Sequence, residues 1–350
     1  MKITLELLSL MILAVFTIFV SAVSEYVITG DTSHLIFGQQ PEAVSQTLDE
    51  VRSDNNIVVI KKSGLAKSEE IPATSRLPDT VMDKAPQKKL SFAFLTDVHL
   101  NKNNSNDRLN GFQQCLERVK KTDASFIVFG GDLVDNSGMG KNNTREECEN
   151  LFDLFKETVD AAGLKYYPAI GNHDRFFDKE SGYVAGDELF KVYFKDSYYT
   201  FERQGVHFFV LNSVFSNYAI PKEELDWLKA ELEKVPLDAP IVVVTHVPVY
   251  SIYYPVTAGK YTSADIIVNN KELLAAFKKH NLKLVLQGHM HLYEEIFSQK
   301  VQYITGGAVC ANWWNGSFHG TEEGFLFIEV DSENHFTWRY VDYGWQPKTK

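Results

Sequence analysis

The sequence contains few cysteines and no paired cysteine motif. Three occur among the 350 residues, at Cys115, Cys148 and Cys310, and none stands in a Cys-x-x-Cys pair or beside a candidate base in the sequence. Three cysteines are too few for a fold held together by disulfides. We interpret them as packing residues, with a single structural disulfide as the alternative.

An excess of basic charge is also missing. The chain has 35 basic and 46 acidic residues, which gives a formal net charge of −11. Proteins that track a nucleic-acid backbone normally present a basic stripe, so we expect no partner of that kind. Repeats and low-complexity tracts are absent as well, and the hydrophobic share of 44% is sufficient for a packed core.

One long apolar run stands at the N-terminus. Residues 3–23 are hydrophobic apart from one Glu and several Thr and Ser, Lys2 precedes them, and the small residues 21–23 suit a cleavage point. We interpret residues 1–23 as a signal peptide or an uncleaved membrane anchor, with a buried helix as the remaining alternative. Because no further basic residue occurs before Arg52, the rest of the chain is expected to be exported: periplasmic, extracellular, or membrane-anchored and facing outward.

Residues 24–89 are predicted to be an N-terminal extension and linker. Residues 57–60 have the β-branched composition of an isolated strand, whereas residues 63–87 are rich in Lys, Ser, Pro and Ala. A regular pattern of elements begins at residue 90, and we place one domain at residues 90–345.

The first half of this domain alternates strands with helices. Strands are predicted at residues 90–96, 125–129 and 165–170, and amphipathic helices at residues 107–121 and 146–162. Alternation at this spacing is typical of parallel βαβ units. In open α/β sheets ligands bind beyond the carboxyl ends of the strands, which directs attention to the residues that follow each strand.

The second half contains further strands and fewer helices. The predicted elements are a hairpin at residues 198–201 and 206–211, helices at residues 223–234 and 271–279, and strands at residues 241–244, 282–286, 294–297, 301–304, 325–330 and 336–340. An aromatic loop is expected between the strand at residues 241–244 and the helix that follows it. With βαβ units early and antiparallel strands late, we expect two packed sheets with helices outside.

Potential metal ligands follow the predicted strands. They are Asp97, His99, Asp132, Asn172, His173, His246, His289 and His291. Carboxylate, imidazole and amide oxygen groups bind zinc, iron and manganese. Eight such groups exceed the needs of one tetrahedral ion and suit two ions that share a bridging carboxylate.

In their order along the chain these residues resemble a known family. The motifs are Asp97-x-His99, Gly131-Asp132, Gly171-Asn172-His173-Asp174, His246 and Gly288-His289-x-His291. Together, over roughly residues 90–340, the series resembles the calcineurin-like metallophosphoesterase superfamily, in its bacterial-type secreted phosphodiesterase or phosphatase branch. The resemblance implies a four-layer α/β/β/α sandwich with a two-metal site. Gly171 is expected to permit a tight turn.

The resemblance also implies a role for each motif residue. One ion would be held by Asp97, His99 and His291, the other by Asn172, His246 and His289, and Asp132 would bridge them. His173 would face the substrate phosphate and act as the general acid. The ions are expected to be two divalent cations, Mn, Fe or Zn, whose identity the sequence leaves open.

The implied activity is hydrolysis of a small-molecule phosphate ester. A phosphodiesterase that uses a metal-bridging hydroxide as nucleophile fits the motif set best. A phosphomonoesterase and a hydrolase of lipid-linked pyrophosphates remain alternatives, as does a metal-binding protein without catalytic activity.

Four further residues have two interpretations each. Asp174 orients the His173 loop or is a surface carboxylate, and Asp135 orients a neighbouring group or is an ordinary loop acid. Trp313 and Trp314 stack on a base or sugar of the substrate, or form a buried aromatic pair.

Overall fold

The structure is a computed structural model, and it describes residues 87–348 apart from 103–106, 139–140, 177–185 and 261–264. The predicted signal peptide or anchor at residues 1–23 and the strand at residues 57–60 lie outside the described residues. Of the predicted linker, only its last residues are described, and these begin the first strand at Lys88. In the part of the chain that is described, no helix combines the length and apolar character required to cross a membrane.

The elements follow the predicted order. The helices span Arg108–Lys120 (α1), Arg145–Ala162 (α2), Glu188–Phe194 (α3), Lys222–Leu232 (α4), Tyr253–Ala258 (α5) and Asn270–Ala276 (α6). The strands span Lys88–Leu95 (β1), Phe126–Phe129 (β2), Ser137–Gly138 (β3), Lys141–Asn142 (β4), Lys165–Pro168 (β5), Tyr199–Arg203 (β6), Val206–Val210 (β7), Pro240–Val244 (β8), Asn281–Gln287 (β9), Glu294–Ser298 (β10), Val301–Thr305 (β11), Gly324–Asp331 (β12) and Phe336–Asp342 (β13).

Two mixed sheets contain the long strands. The first has the order β13-β12-β1-β2-β5, with β1, β2 and β5 parallel and the two late strands antiparallel to their neighbours. The second has the order β10-β11-β9-β8-β7-β6, in which β11, β9, β8 and β7 are parallel and the two edge strands are antiparallel. The parallel βαβ prediction is confirmed. The prediction of antiparallel late strands is wrong for β11, which pairs in parallel with β9.

Alternation along the strands produces the four layers. In β1, Phe92 and Phe94 belong to the core between the two sheets, while Ala93 and Leu95 pack in the core that includes the helices. In β8 the same alternation puts Val242 between the sheets. Because both faces of the central strands are buried, they consist of near-continuous apolar residues. This arrangement confirms the predicted α/β/β/α sandwich.

Some elements were absent from the prediction. Helix α5 lies where we expected an aromatic loop. Its sequence, Tyr-Tyr-Pro-Val-Thr-Ala, contains few strong helix formers and therefore did not indicate a helix. The short helix α3 and the two-residue strands β3 and β4 also lack a periodic signal. By contrast, α2 begins where the sequence indicates, because Thr144 and Glu147 form a reciprocal capping box at its start.

Candidate metal centre

The seven predicted metal ligands meet where the parallel strands of the two sheets end. Asp97 and His99 follow β1, Asp132 follows β2, and Asn172 follows β5, all in the first sheet. The remaining three come from the second sheet: His246 follows β8, and His289 and His291 follow β9. The carboxyl ends of both sheets therefore meet at one shared site, as expected for ligand sites in α/β folds.

One half of this cluster contains Asp97, His99 and His291, which we call the closed half. The Nε2 atoms of His99 and His291 are 3.1 Å apart, and His291 Nε2 is 3.4 Å from Asp97 Oδ1. The exposed fraction of each of the three residues is 2% or less.

The other half contains Asn172, His246 and His289, which we call the open half. His246 Nε2 lies 3.0 Å from Asn172 Oδ1, and the His246 and His289 ring centroids are 5.1 Å apart. His246 is fully buried, whereas Asn172 and His289 are only partly buried.

Asp132 stands between the two halves. Its Oδ2 is 3.2 Å from His246 Nε2 and 3.5 Å from His99 Nε2. Its Oδ1 accepts a hydrogen bond of 2.7 Å from the His173 backbone N–H. One carboxylate is thus in contact with ligand candidates of both halves, which is the position that a bridging ligand requires.

Three imidazoles are held with Nε2 directed into the cluster. The Nδ1 atom of His99 is 2.6 Å from Asp135 Oδ1, that of His246 is 2.8 Å from the Gly130 carbonyl, and that of His291 is 2.5 Å from the Ala311 carbonyl. An Nδ1–H that donates to these oxygens leaves Nε2 unprotonated in the neutral ring. This is the tautomer that a metal ligand needs.

The donor set fits divalent cations. Inward-facing imidazole nitrogens and carboxylate oxygens crowd together in a buried volume, and Asp132, His246 and His289 offer ligand atoms within 4.8 Å of one another. Burial opposes ionisation of Asp132, but the nearby His246 and His173 nevertheless lower its pKa. Burial likewise opposes protonation of His246, but Asp132 raises its pKa to about 9. Without cations, protons on the imidazoles supply the positive charge that these carboxylates need.

The backbone is strained at most of these residues. The φ angles of Asp97, His99, Asp132, His289 and His291 lie between 53° and 72°. Side-chain-bearing residues rarely adopt this left-handed region, and such strain is concentrated at functional sites.

Two glycines permit the close approach of neighbouring loops. A Cβ atom on Gly171 would lie 2.1 Å from both the backbone N and Oδ1 of Asp132, and one on Gly288 would lie 2.1 Å from Thr96 Oγ1. Gly171 does not have a positive φ. The predicted tight turn is present, because the Asp174 backbone N–H donates to the Gly171 carbonyl at 3.3 Å. Glycine is required at its start by close packing against Asp132 and not by a positive φ.

His173 lies at the open side of the cluster. Its side chain retains 19% exposure, and its Nδ1 is 3.2 Å from Asp135 Oδ1, within ion-pair range although without hydrogen-bond geometry. His173 also offers a ligand atom within 4.8 Å of His99 and Asp132. Proximity therefore does not distinguish an acid from a ligand, and its role as general acid stays a prediction.

Asp135 and Asp174 both hold neighbouring groups in place. Asp135 contacts His99 and His173, and Asn101 Nδ2 donates to its Oδ2 at 3.0 Å. Asp174 is fully buried and accepts from the backbone N–H groups of Gly171 and Val134 at 2.8 and 3.0 Å. Burial and the nearby Asp132 raise the pKa of Asp174 to about 8. The alternatives of a surface carboxylate and an ordinary loop acid are wrong.

Several supporting residues carried no sequence signal. Ser213 Oγ accepts from the backbone N–H groups of His246 and Val247, and Thr96 Oγ1 donates to Asp97 Oδ2. A hydroxyl after a strand is too common to identify such roles.

The cysteines are free and buried, which confirms the packing interpretation and excludes the disulfide alternative among them. Cys310 has no candidate base beside it in the sequence, but the fold brings it next to one. Its Sγ is 3.8 Å from His291 Nδ1, a neighbour 19 residues away in sequence. Sequence proximity could not reveal this contact.

The two adjacent tryptophans have different environments. Trp314 is fully buried, and its indole N–H donates to the Val98 carbonyl at 2.9 Å. Trp313 is partly exposed and stacks on His291, with ring centroids 4.2 Å apart. The buried-pair interpretation is correct for Trp314 alone.

Comparison with known proteins agrees with this geometry. The family profile described as calcineurin-like phosphoesterase matches residues 90–293, more than half of the chain. A 3',5'-cyclic-nucleotide phosphodiesterase from Nostoc sp. is 25% identical over 264 residues, which cover 71% of this chain and 90% of that relative.

Solved structures share the fold. A dimetal phosphatase from Danio rerio aligns with a TM-score of 0.54 at 13% identity, covering 74% of this chain and 98% of that one. GAP50, described as the anchor in the inner membrane complex of Plasmodium, aligns with a TM-score of 0.50 at 17% identity, covering 73% and 85%. At these identities the similarity supports the fold alone. On the profile match, the chain belongs to the calcineurin-like phosphoesterase family and is a metallophosphoesterase that hydrolyses phosphoric esters.

Proposed function

We propose that the protein is a phosphodiesterase that works with two divalent metal ions. The observation that carries this proposal is the position of Asp132, whose Oδ2 is within 3.5 Å of imidazoles from both halves of the cluster while its Oδ1 holds the His173 loop. A site for one ion would not need a carboxylate shared in this way.

The residues that would hold the ions divide as the cluster does. Asp97, His99 and His291 would bind one cation, Asn172, His246 and His289 the other, and Asp132 both. The cations would supply a water-derived nucleophile near neutral pH and would neutralise charge on the phosphoryl oxygens. Mn, Fe and Zn all suit a set of nitrogen and oxygen ligands.

His173 would move the proton that the reaction requires. Its Nδ1 faces Asp135, so the other ring nitrogen, Nε2, is the one available to a leaving oxygen. Asp135 would keep this imidazole oriented toward the leaving oxygen. His173 also retains access to solvent, so that a substrate can reach it.

Cyclic nucleotides are the substrate class that we propose first. The support is the Nostoc relative, which is named for that activity and is matched over 90% of its length. Phosphomonoesters and lipid-linked pyrophosphates are the competing substrates. We further propose that residues 1–23 direct export and that catalysis takes place outside the cytoplasm, since the apolar N-terminal run has the composition of an export signal.

The test is a substrate panel on protein of known metal content. Purified protein is stripped with a chelator, reloaded with Mn, Fe or Zn, and assayed with bis(p-nitrophenyl) phosphate, 3',5'-cyclic AMP, p-nitrophenyl phosphate and undecaprenyl pyrophosphate. We expect diester turnover that requires metal and exceeds monoester turnover. Absence of diester turnover at two ions per chain would overturn the proposal.

A further inference from the structure

A chain of aromatic ring contacts extends outward from His291 in the closed half. Trp313 stacks on His291 at 4.2 Å with an interplanar angle of 27°, and Phe318 meets Trp313 edge to face at 5.8 Å and 84°. Tyr253 lies nearly parallel to Phe318, with centroids 6.3 Å apart and an angle of 14°. All three rings are partly exposed. We call Trp313, Phe318 and Tyr253 the aromatic wall.

The loop determines the position of the Trp313 ring, which does not fill the core. Its neighbour Trp314 fills the core instead, and the backbone N–H of Trp314 donates to the Cys310 carbonyl at 2.7 Å. Ala311, Trp313 and Trp314 all have positive φ, between 38° and 66°. A strained loop that keeps a large apolar ring partly exposed beside a metal ligand suggests a function for that ring.

The wall is suited to planar ligands. It consists of ring faces and edges, which attract another aromatic ring through stacking and edge-to-face contacts. Such contacts tolerate different ring types, because every base has a π face. A phosphate bound at the cluster would place the rest of a small diester within reach of Trp313, since that ring touches His291.

We propose that the aromatic wall binds the nucleobase of a nucleotide substrate. This inference rests on the proposed phosphodiesterase function and adds to it that the base is bound on the Trp313 side of the metal cluster. Trp313 is then the residue that determines preference for diesters with a planar ring over diesters built on glycerol.

The test compares two substrates in Trp313→Leu. Because stacking on an aromatic side chain contributes about 1–3 kcal/mol per base, kcat/KM for 3',5'-cyclic AMP should fall by about 5- to 150-fold. For glycerophosphocholine, which has no ring, kcat/KM should change less than about twofold on the same reasoning. Trp313→Phe keeps a stacking surface and should restore most of the cyclic AMP activity.

Metal content and a matched control variant distinguish a role of Trp313 in binding the base from a role in supporting His291. Trp227→Leu removes a partly exposed tryptophan that contacts Tyr198 and Phe209, and it should leave both substrates unaffected. An equal loss for both substrates in Trp313→Leu, or a loss of metal, would show that Trp313 only supports His291 and would overturn the inference.

Binding of product tests the wall independently of turnover. Calorimetric titration of the metal-loaded protein with 5'-AMP and with glycerol 3-phosphate should show that Trp313→Leu weakens binding of 5'-AMP alone. If the wild type hydrolyses no diester, the proposed function is wrong. The titration still shows whether the aromatic wall binds the nucleobase. Equal affinities for the two ligands in the wild type would overturn the inference.

Discussion

The two halves of the candidate metal centre differ in how the protein surrounds them. In the closed half Asp97, His99 and His291 are almost fully buried, and both imidazoles are fixed, one by Asp135 and the other by the Ala311 carbonyl. In the open half only His246 is fully buried. From this difference we expect a cation in the closed half to be retained and a cation in the open half to exchange with solvent and substrate.

The largest effect is expected from the carboxylate that joins the halves. Asp132→Asn removes the negative charge of the side chain whose Oδ2 contacts both His246 and His99. We expect the metal content to fall from two to well below one per chain and kcat to fall by at least about three orders of magnitude, since the ions would supply the nucleophile. Elemental analysis after gel filtration and an assay with bis(p-nitrophenyl) phosphate measure both.

Asp160→Asn is the matched control for this variant. Asp160 is an exposed carboxylate paired with Lys156 on helix α2, so its loss should change neither metal content nor rate. Retention of two ions in Asp132→Asn would mean that the halves do not depend on a shared carboxylate.

His173→Ala separates proton transfer from metal binding. Loss of a general acid typically lowers kcat by about 10²- to 10⁴-fold, and we expect that range with two ions still bound. Diesters with a good leaving group, such as p-nitrophenolate, should be affected least, because they need little protonation. A drop to one ion per chain would instead assign His173 to the ligands.

A smaller effect is expected where only the orientation of a ligand changes. Asp135→Asn keeps the shape of the side chain but weakens its contact with His99. In the native protein Asp135 Oδ1 lies 2.6 Å from His99 Nδ1. Changes at such outer contacts typically lower metal affinity by about 10- to 100-fold. Competition with a fluorescent chelator should show this loss for the more tightly bound ion, and an unchanged affinity would contradict the assigned role.

The smallest effect is expected on the thermal stability of the protein, from a buried carboxyl group near the open half. Glu224 is buried and accepts from the Asn212 N–H, next to Ser213, which holds the His246 backbone. Burial raises the pKa of Glu224 from about 4.5 to about 8, opposed by the Asn212 N–H. Because the folded state keeps this proton longer than the unfolded state, wild-type stability is lost as the pH rises through this window.

The side chain introduced by Glu224→Gln cannot ionise, so this variant should keep the stability that the wild type loses as the pH rises. The difference in Tm between variant and wild type should be near zero at pH 4.5 and should grow in favour of the variant up to about pH 8. Thermal unfolding followed by circular dichroism at a series of pH values measures it. A difference that is constant with pH would show that Glu224 ionises with the same pKa in the folded and unfolded states, and would contradict the raised pKa.

The ligand candidates were predictable because they follow apolar strands, and strand ends in α/β sheets meet by topology. His246 and Asp132 are 114 residues apart, yet each was identified from its own strand. The supporting contacts were not predictable, since Ala311 contributes a backbone carbonyl that any residue has. Likewise, nothing in the pair Trp313-Trp314 says which ring enters the core, because that depends on φ angles set by the surrounding loop.

The insertion of β12 between β1 and β13 also lacked a sequence signal. The two paired strands β1 and β12 are separated by more than 200 residues, and no local pattern marks such a pairing. The near-continuous apolar patterns of β1 and β12 are compatible with several neighbours, and only tertiary packing selects one.

The most direct test of the account is anomalous diffraction from crystals grown with Mn and then briefly exposed to a chelator. Before exposure we expect two peaks, one among Asp97, His99 and His291 and one among Asn172, His246 and His289, both next to Asp132. After exposure the peak in the closed half should persist while that in the open half declines. A single peak at the outset, or preferential loss from the closed half, would contradict the account.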